Sequence, residues 1–135
     1  MSFEFPIRVY WEDTDAGGIV FYANYLKFFE RARTEWLRHL GIEQQALREA
    51  TGGMFVVVET QLKYHKPAQL DDLLSVNANL LSKGRSTLII TQQAWRQAAQ
   101  PMLLCEGTIR IGWVMIKLER PLLSKLALTL NRSSN

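Results

Sequence analysis

The sequence predicts an α+β domain in which one antiparallel sheet of about five strands meets a single long helix. Three observations predict it. Residues 22–40 carry apolar side chains at helical spacing, in one long run. An alternating, strand-like segment precedes that run, and four more follow it. The breaks between the last strands are short enough for hairpins, which makes neighbouring strands antiparallel.

Ile7, Val9 and Trp11 alternate with Arg8, Tyr10 and Glu12, the period of a half-buried strand. Asp13-Thr14-Asp15-Ala16-Gly17-Gly18 is a loop by residue type. Projected at about 100° per residue, Tyr22, Tyr25, Leu26, Phe29, Ala32, Trp36, Leu37 and Leu40 share one helix face. Lys27, Arg31, Thr34 and Arg38 lie opposite, and Gly41 is a C-terminal stop. Such a helix is roughly 28 Å long. Five strands at about 4.8 Å spacing are of similar width, so the helix can lie across a whole sheet.

A shorter helical or irregular piece is expected over residues 42–50, followed by Gly52-Gly53. Met54, Val56, Val58, Thr60, Leu62 and Tyr64 then share one strand face, with Glu59, Gln61 and Lys63 on the other and Pro67 beyond the end. Further strands are expected at 73–81, 86–96 and 102–118, the last placing Cys105, Ile109, Ile111, Trp113 and Met115 on one side. Lys83-Gly84-Arg85 and Ala98-Ala99-Gln100-Pro101 supply the breaks. Residues 1–135 read as one domain, with 121–135 expected to fray.

At 135 residues and 47% hydrophobic content, one real core is available. The formal charge of +3 is spread along the chain, which argues against a nucleic-acid-binding stripe while still favouring an anionic ligand. Cys105 is the single cysteine, so no intrachain disulfide forms, and with two histidines a zinc cluster is not expected. No signal peptide and no apolar run of bilayer length is apparent. A cytoplasmic protein without metal or cofactor is expected.

No Gly-x-Ser-x-Gly elbow and no phosphate-cradling glycine motif is present. Cys105 lies on an apolar strand face and reads as core packing. His39 and His65 have no motif around them and read as structural or exposed. The loop from Glu12 to Gly18 differs: three carboxylates in four positions precede two glycines and a helix. Such carboxylates often serve only as partners of the helix dipole. Ile19, Val20 and Phe21, however, offer no capping side chain. The helix therefore starts with unsatisfied N–H groups, which suit a polarised carbonyl oxygen.

Trp11-Glu12-Asp13-Thr14-Asp15-Ala16-Gly17-Gly18-Ile19-Val20-Phe21-Tyr22-Ala23-Asn24-Tyr25, continuing into Phe28-Phe29-Glu30-Arg31-Ala32-Arg33-Thr34-Glu35, resembles the 4-hydroxybenzoyl-CoA thioesterase family. Tyr64-His65-Lys66-Pro67-Ala68-Gln69-Leu70-Asp71-Asp72 resembles its Tol-Pal-associated acyl-CoA thioesterase branch, and the similarity reaches to about residue 120. The resemblance implies a hot-dog fold, with the sheet wrapped around the long helix, in homodimers that often pair into homotetramers. It implies hydrolysis of a short-chain or aromatic acyl-CoA, or of an acyl group on acyl carrier protein. Asp15 matches the catalytic aspartate, as nucleophile or as general base toward water. The Tyr22 backbone N–H matches the donor to the thioester carbonyl, and Gly17 and Gly18 let the chain approach the substrate. Many members of that branch carry histidine at the position of Tyr22; the backbone donor survives the exchange, an imidazole role does not.

Glu12 and Asp13 are less expected to take part. Arg33 falls in the apolar stripe, where a charge needs a partner. Glu30, Glu59 or a carboxylate across a subunit contact are the expected ones, with a substrate role as the alternative. Lys83 and Arg85 flank Gly84 and either hold CoA phosphates or form a solvated turn. A non-catalytic acyl-carrier or protein-binding module on the same scaffold is the competing reading. A dehydratase would need a histidine near the helix, and His39 lies at its far end.

Overall fold

A computed structural model describes residues 3–115. The expected frayed tail at 121–135 and the last part of the strand drawn to 118 lie outside the described residues.

The elements run in the expected order. β1 (Phe3–Arg8) leads through the acidic loop to α1 (Tyr25–His39). After it come α2 (Gln44–Thr51), β2 (Gly53–Tyr64), β3 (Leu73–Lys83), β4 (Thr87–Arg96) and β5 (Met102–Met115). The five strands form one sheet in the order β1-β3-β4-β5-β2, and every pairing is antiparallel. The chain thus crosses the sheet twice: α1 and α2 carry it from one edge strand to the other, and residues 65–72 return it to β3 beside β1.

α1 buries Tyr25, Phe28, Phe29, Ala32, Arg33, Trp36 and Leu37. Near its start Tyr25, Phe28 and Phe29 pack with Val9, Leu74, Val76 and Leu104; near its end Trp36 and Leu37 pack with Ile42, Ile90, Ile109 and Ile111. Each fully buried side chain of this size contributes about 1.5–3 kcal/mol through lost apolar surface. Gly41 ends the helix in the left-handed conformation (φ 86°). Its N–H bonds the Arg38 carbonyl at 2.9 Å and the Ile42 N–H reaches back to Leu37 at 2.8 Å. Ile42 and Leu37 then touch in the core, which completes the stop that a glycine here announces.

Three details depart from the pattern expected. β1 ends at Arg8, and Trp11 starts a single 3-10 turn with 77% of its surface exposed. The cause is Asp13, whose carboxylate captures the Tyr10 N–H and curls the chain out of the sheet. Tyr22 (63% exposed) and Leu26 lie off the buried face of α1, and Phe28 takes their place. Residues Tyr22–Asn24 form a 3-10 turn, so a steady rotation of about 100° per residue does not carry the buried face of α1 back to Tyr22. In β2 a bulge falls between Val57 and Glu59. It reverses the side-chain parity, so Phe55 and Leu62 both pack on the core while Val58 is 55% exposed.

Candidate active site

The acidic loop folds into a small hairpin. Thr14 and Val20 form an antiparallel bridge, the Asp15 N–H bonds the Ile19 carbonyl at 2.9 Å, and the Gly18 N–H closes the turn on the Asp15 carbonyl at 3.0 Å. Gly18 sits at φ 79°, a conformation that disfavours any side chain. At Gly17 the reason is closeness: its N–H donates to Asp15 Oδ1 at 2.8 Å, and a Cβ there would stand 3.2 Å from the same oxygen.

The two aspartates divide their tasks. Asp13 is 4% exposed and both its oxygens are engaged, Oδ2 by the Tyr10 N–H at 2.8 Å and Oδ1 by Asn24 Nδ2 at 2.9 Å. Its carbonyl also accepts the Phe21 N–H. Asp13 therefore ties the loop to the start of the helix and is not available to a substrate. Asp15 is exposed at the hairpin tip, with Oδ1 in the turn and Oδ2 accepting nothing from the described residues. Glu12 is exposed outside the turn.

Where the loop meets the helix, Phe21 is extended and gives no side-chain cap. Its own N–H is taken by Asp13 and the Asn24 N–H bonds the Phe21 carbonyl at 2.8 Å. Among the described residues no group accepts from the Tyr22 or Ala23 N–H. These are the orphan donors of a helix start. Aromatic rings cluster beside them: exposed Phe21 against exposed Tyr22 at 4.7 Å, and exposed Tyr64 edge-on to Tyr22 at 6.2 Å and to the buried Tyr25 at 5.7 Å. Tyr64 Oη donates to the Tyr22 carbonyl at 3.1 Å. In the sequence Tyr64 is one more residue of an alternating strand face, and nothing in that pattern shows that β2 ends beside the start of α1.

The segment between β2 and β3 seats this hairpin. The Val20 N–H bonds Ala68 O, the Leu70 N–H bonds Gly18 O, and the Asp71 N–H bonds Val9 O. Arg96 holds the segment through Asp72 Oδ2 at 2.9 Å and the Pro67 carbonyl at 2.8 Å. The buried Tyr25 hydroxyl receives the Ala68 N–H, and burial pushes its pKa up.

The remaining sequence candidates lie elsewhere. Lys83 and Arg85 are in the β3–β4 hairpin, at the other end of a strand that begins beside the 68–72 segment. Ten steps of about 3.3 Å separate the two ends. In one chain, then, they do not join Asp15. His65 Nε2 lies 3.4 Å from Glu106 and His39 packs on Phe3, so neither belongs to the loop. Cys105 is fully buried, as expected of core packing, and burial drives its thiol pKa to about 12. Arg33 is buried at 8% exposure, as its place in the stripe implied, but no described carboxylate pairs with it. Its partner is the neutral amide of Gln92. No cluster among the described residues suits a metal ion, and no helix among them is long and apolar enough to cross a membrane.

Comparison with known proteins gives a consistent picture. Residues 17–101 match the thioesterase superfamily. The acyl-CoA thioesterase YbgC of Haemophilus influenzae is 42% identical over 120 residues, which is 89% of this chain and 86% of that protein. The acyl-CoA thioester hydrolase YbgC of Escherichia coli is 48% identical over 91 residues, 67% of each chain. Among solved structures, a probable thioesterase from Bartonella henselae superposes with a TM-score of 0.80 at 29% identity, covering 86% of this chain and 94% of that one.

Proposed function

Because this chain belongs to the thioesterase superfamily, we propose that it hydrolyses a short-chain or aromatic acyl-CoA with Asp15 and the Tyr22 N–H as its reacting parts. The fold is the hot-dog arrangement of that family, and the chain is an acyl-CoA thioesterase like its relatives. One observation carries the finer reading: an exposed carboxylate with an uncommitted oxygen stands on the hairpin that leads directly into a helix start with two unoccupied N–H groups.

In this reading the thioester carbonyl accepts from the Tyr22 N–H, which strengthens as negative charge develops on the oxygen. Asp15 attacks the carbonyl carbon, expelling CoA thiolate and leaving a mixed anhydride for water to open. Alternatively it takes a proton from water, which attacks directly, and the thiolate leaves from the tetrahedral intermediate. Either route gives free acid and CoA with no redox step. Acyl carrier protein is the other thiol carrier this site would accept.

The active form is proposed to be a homodimer or homotetramer in the cytoplasm. β2 is an edge strand of 12 residues, and Val57 and Val58 are exposed along it. Such an edge calls for cover. Lys83 and Arg85 would then meet CoA phosphates only from a neighbouring subunit.

A panel of acetyl-, butyryl-, palmitoyl-, benzoyl- and 4-hydroxybenzoyl-CoA, followed by release of free thiol, tests the proposal. The wild type should turn over the short or aromatic members. Asp15→Asn should keep its fold and lose about 10²- to 10⁴-fold in kcat, the span of a positioned acid–base group. An unchanged kcat would eliminate this chemistry, and no release from any member would point to the non-catalytic alternative.

A further inference from the structure

Tyr64 stands at the last position of β2, and its hydroxyl donates to the Tyr22 carbonyl at 3.1 Å. That oxygen already receives the Tyr25 N–H within the first turn, so it is satisfied without Tyr64. The site is also open to water, since Tyr22 and Tyr64 are both exposed, and water would replace a merely structural bond at small cost. What water would not supply is direction. The carbonyl belongs to the Tyr22–Ala23 peptide, a planar trans group whose N–H points opposite to its oxygen. Holding the oxygen against the sheet holds the Ala23 N–H in a fixed orientation, beside the free Tyr22 N–H. Donation to the oxygen also polarises the peptide and makes its N–H a stronger donor.

Resting on the proposed thioesterase chemistry, we infer that Tyr64 is a positioning residue, whose hydroxyl orients and polarises the Tyr22–Ala23 peptide so that the Ala23 N–H serves as a second oxyanion donor beside the Tyr22 N–H. Three features suit it to that task. Its ring is braced edge-on between Tyr22 and Tyr25, so the hydroxyl reaches the carbonyl from a fixed platform. Partial burial, followed by the influence of Cys105 and Tyr22, shifts its pKa upward, the direction that favours the protonated donor. Finally, β2 is anchored on β5 at the Tyr64–Cys105 pair, so the bond ties the helix start to the sheet.

The test is Tyr64→Phe in the full chain, which keeps the ring and removes one oxygen, assayed with benzoyl-CoA and butyryl-CoA beside Asp15→Asn. The expected result is a fall in kcat of about tenfold with KM and Tm unchanged, since the bond acts on a donor used most in the transition state. Tyr64→Leu, which also removes the ring, should fall further and lose some Tm. A kcat within twofold of wild type, a rise in KM alone, or a loss of kcat matched by a loss of Tm would overturn the inference. Should Asp15→Asn abolish turnover while Tyr64→Phe stays within twofold of wild type, only the role of Tyr64 fails. Should Asp15→Asn itself stay active, the underlying chemistry fails, whatever Tyr64 does.

Discussion

Arg33 Nη1 donates to Gln92 Oε1 at 2.9 Å in the middle of the apolar face of α1. Gln92 is fully buried, and its amide nitrogen is committed to the Phe29 and Asn77 carbonyls at 3.0 and 3.1 Å. The amide oxygen is thereby left to face the guanidinium. A helix and two strands are joined through one glutamine, and the cation it meets has its pKa lowered by burial, partly countered by Glu30.

The first prediction follows from that asymmetry. Gln92→Leu leaves a buried cation without a partner, takes a donor from the Phe29 and Asn77 carbonyls, and should cost about 3 kcal/mol. Arg33→Met leaves only an amide oxygen and replaces the charge with an apolar chain, so about 1–2 kcal/mol is expected. Urea midpoints of the two variants measure the difference, and thiol release per folded molecule should persist in Arg33→Met. If Arg33→Met proved the more damaging, a carboxylate on another copy of the chain would be the true partner.

A second prediction separates the two aspartates. Asp13→Ala removes two charge-assisted bonds from a buried carboxylate and should lower stability by about 2–4 kcal/mol. Asp15→Ala removes one exposed turn bond, a change of about 0.5–1 kcal/mol, while abolishing turnover. Thermal melts of both variants check the contrast. Equal losses of stability would mean that the loop is not organised around Asp13.

The sequence made the helix, the four later strands and the acidic turn legible, because each rests on local periodicity or on residues such as Gly41 and Gly18 that few conformations suit. Legibility ended where one local event displaced the pattern beyond it. The bulge beside Val58 moved Phe55 to the core side, and the 3-10 turn at Tyr22–Asn24 moved Tyr22 off it. Partners distant in sequence were not legible either. Nothing near Arg33 announces Gln92, 59 residues away, and nothing near Tyr22 announces Tyr64. In the candidate site, Asp15 and Tyr22 stand at the turn and helix start the motif implied, whereas Lys83 and Arg85 are separated from them by the length of β3.

Cys105 yields a pH prediction. Burial, with a smaller contribution from Glu106, raises its pKa from 9.0 to about 12, so the native chain keeps a proton that the unfolded chain releases. A raised pKa gives stability that is complete below about 9 and is lost as pH climbs toward about 12. Unfolding midpoints of the wild type should decline over that window, and Cys105→Ala should flatten the decline after an overall loss from the vacated volume. The same burial makes the native thiol inert, so iodoacetamide at pH 8 should label Cys105 only on unfolding. Rapid labelling of native protein would contradict the buried placement.

Gly53 and Trp113 give the last prediction. They are diagonal neighbours on the β2–β5 ladder, two positions out of direct register, and a Cβ on Gly53 would lie 2.0 Å from the Trp113 ring. The indole is only 8% exposed, is flanked edge-on by Phe55 at 5.1 Å, and has no room to retreat. Gly53→Ala should therefore cost about 1–3 kcal/mol through overpacking, although alanine suits a strand better than glycine does. Trp113→Leu should cost about 3 kcal/mol for lost burial, partly offset because the buried indole N–H has no acceptor among the described residues. With the ring gone, the added methyl of Gly53→Ala meets free space. The double variant should thus be more stable than the sum of the single losses predicts, by at least about 1 kcal/mol. Strict additivity in denaturant titrations would show that the two residues do not touch, and that β2 pairs with β5 in another register.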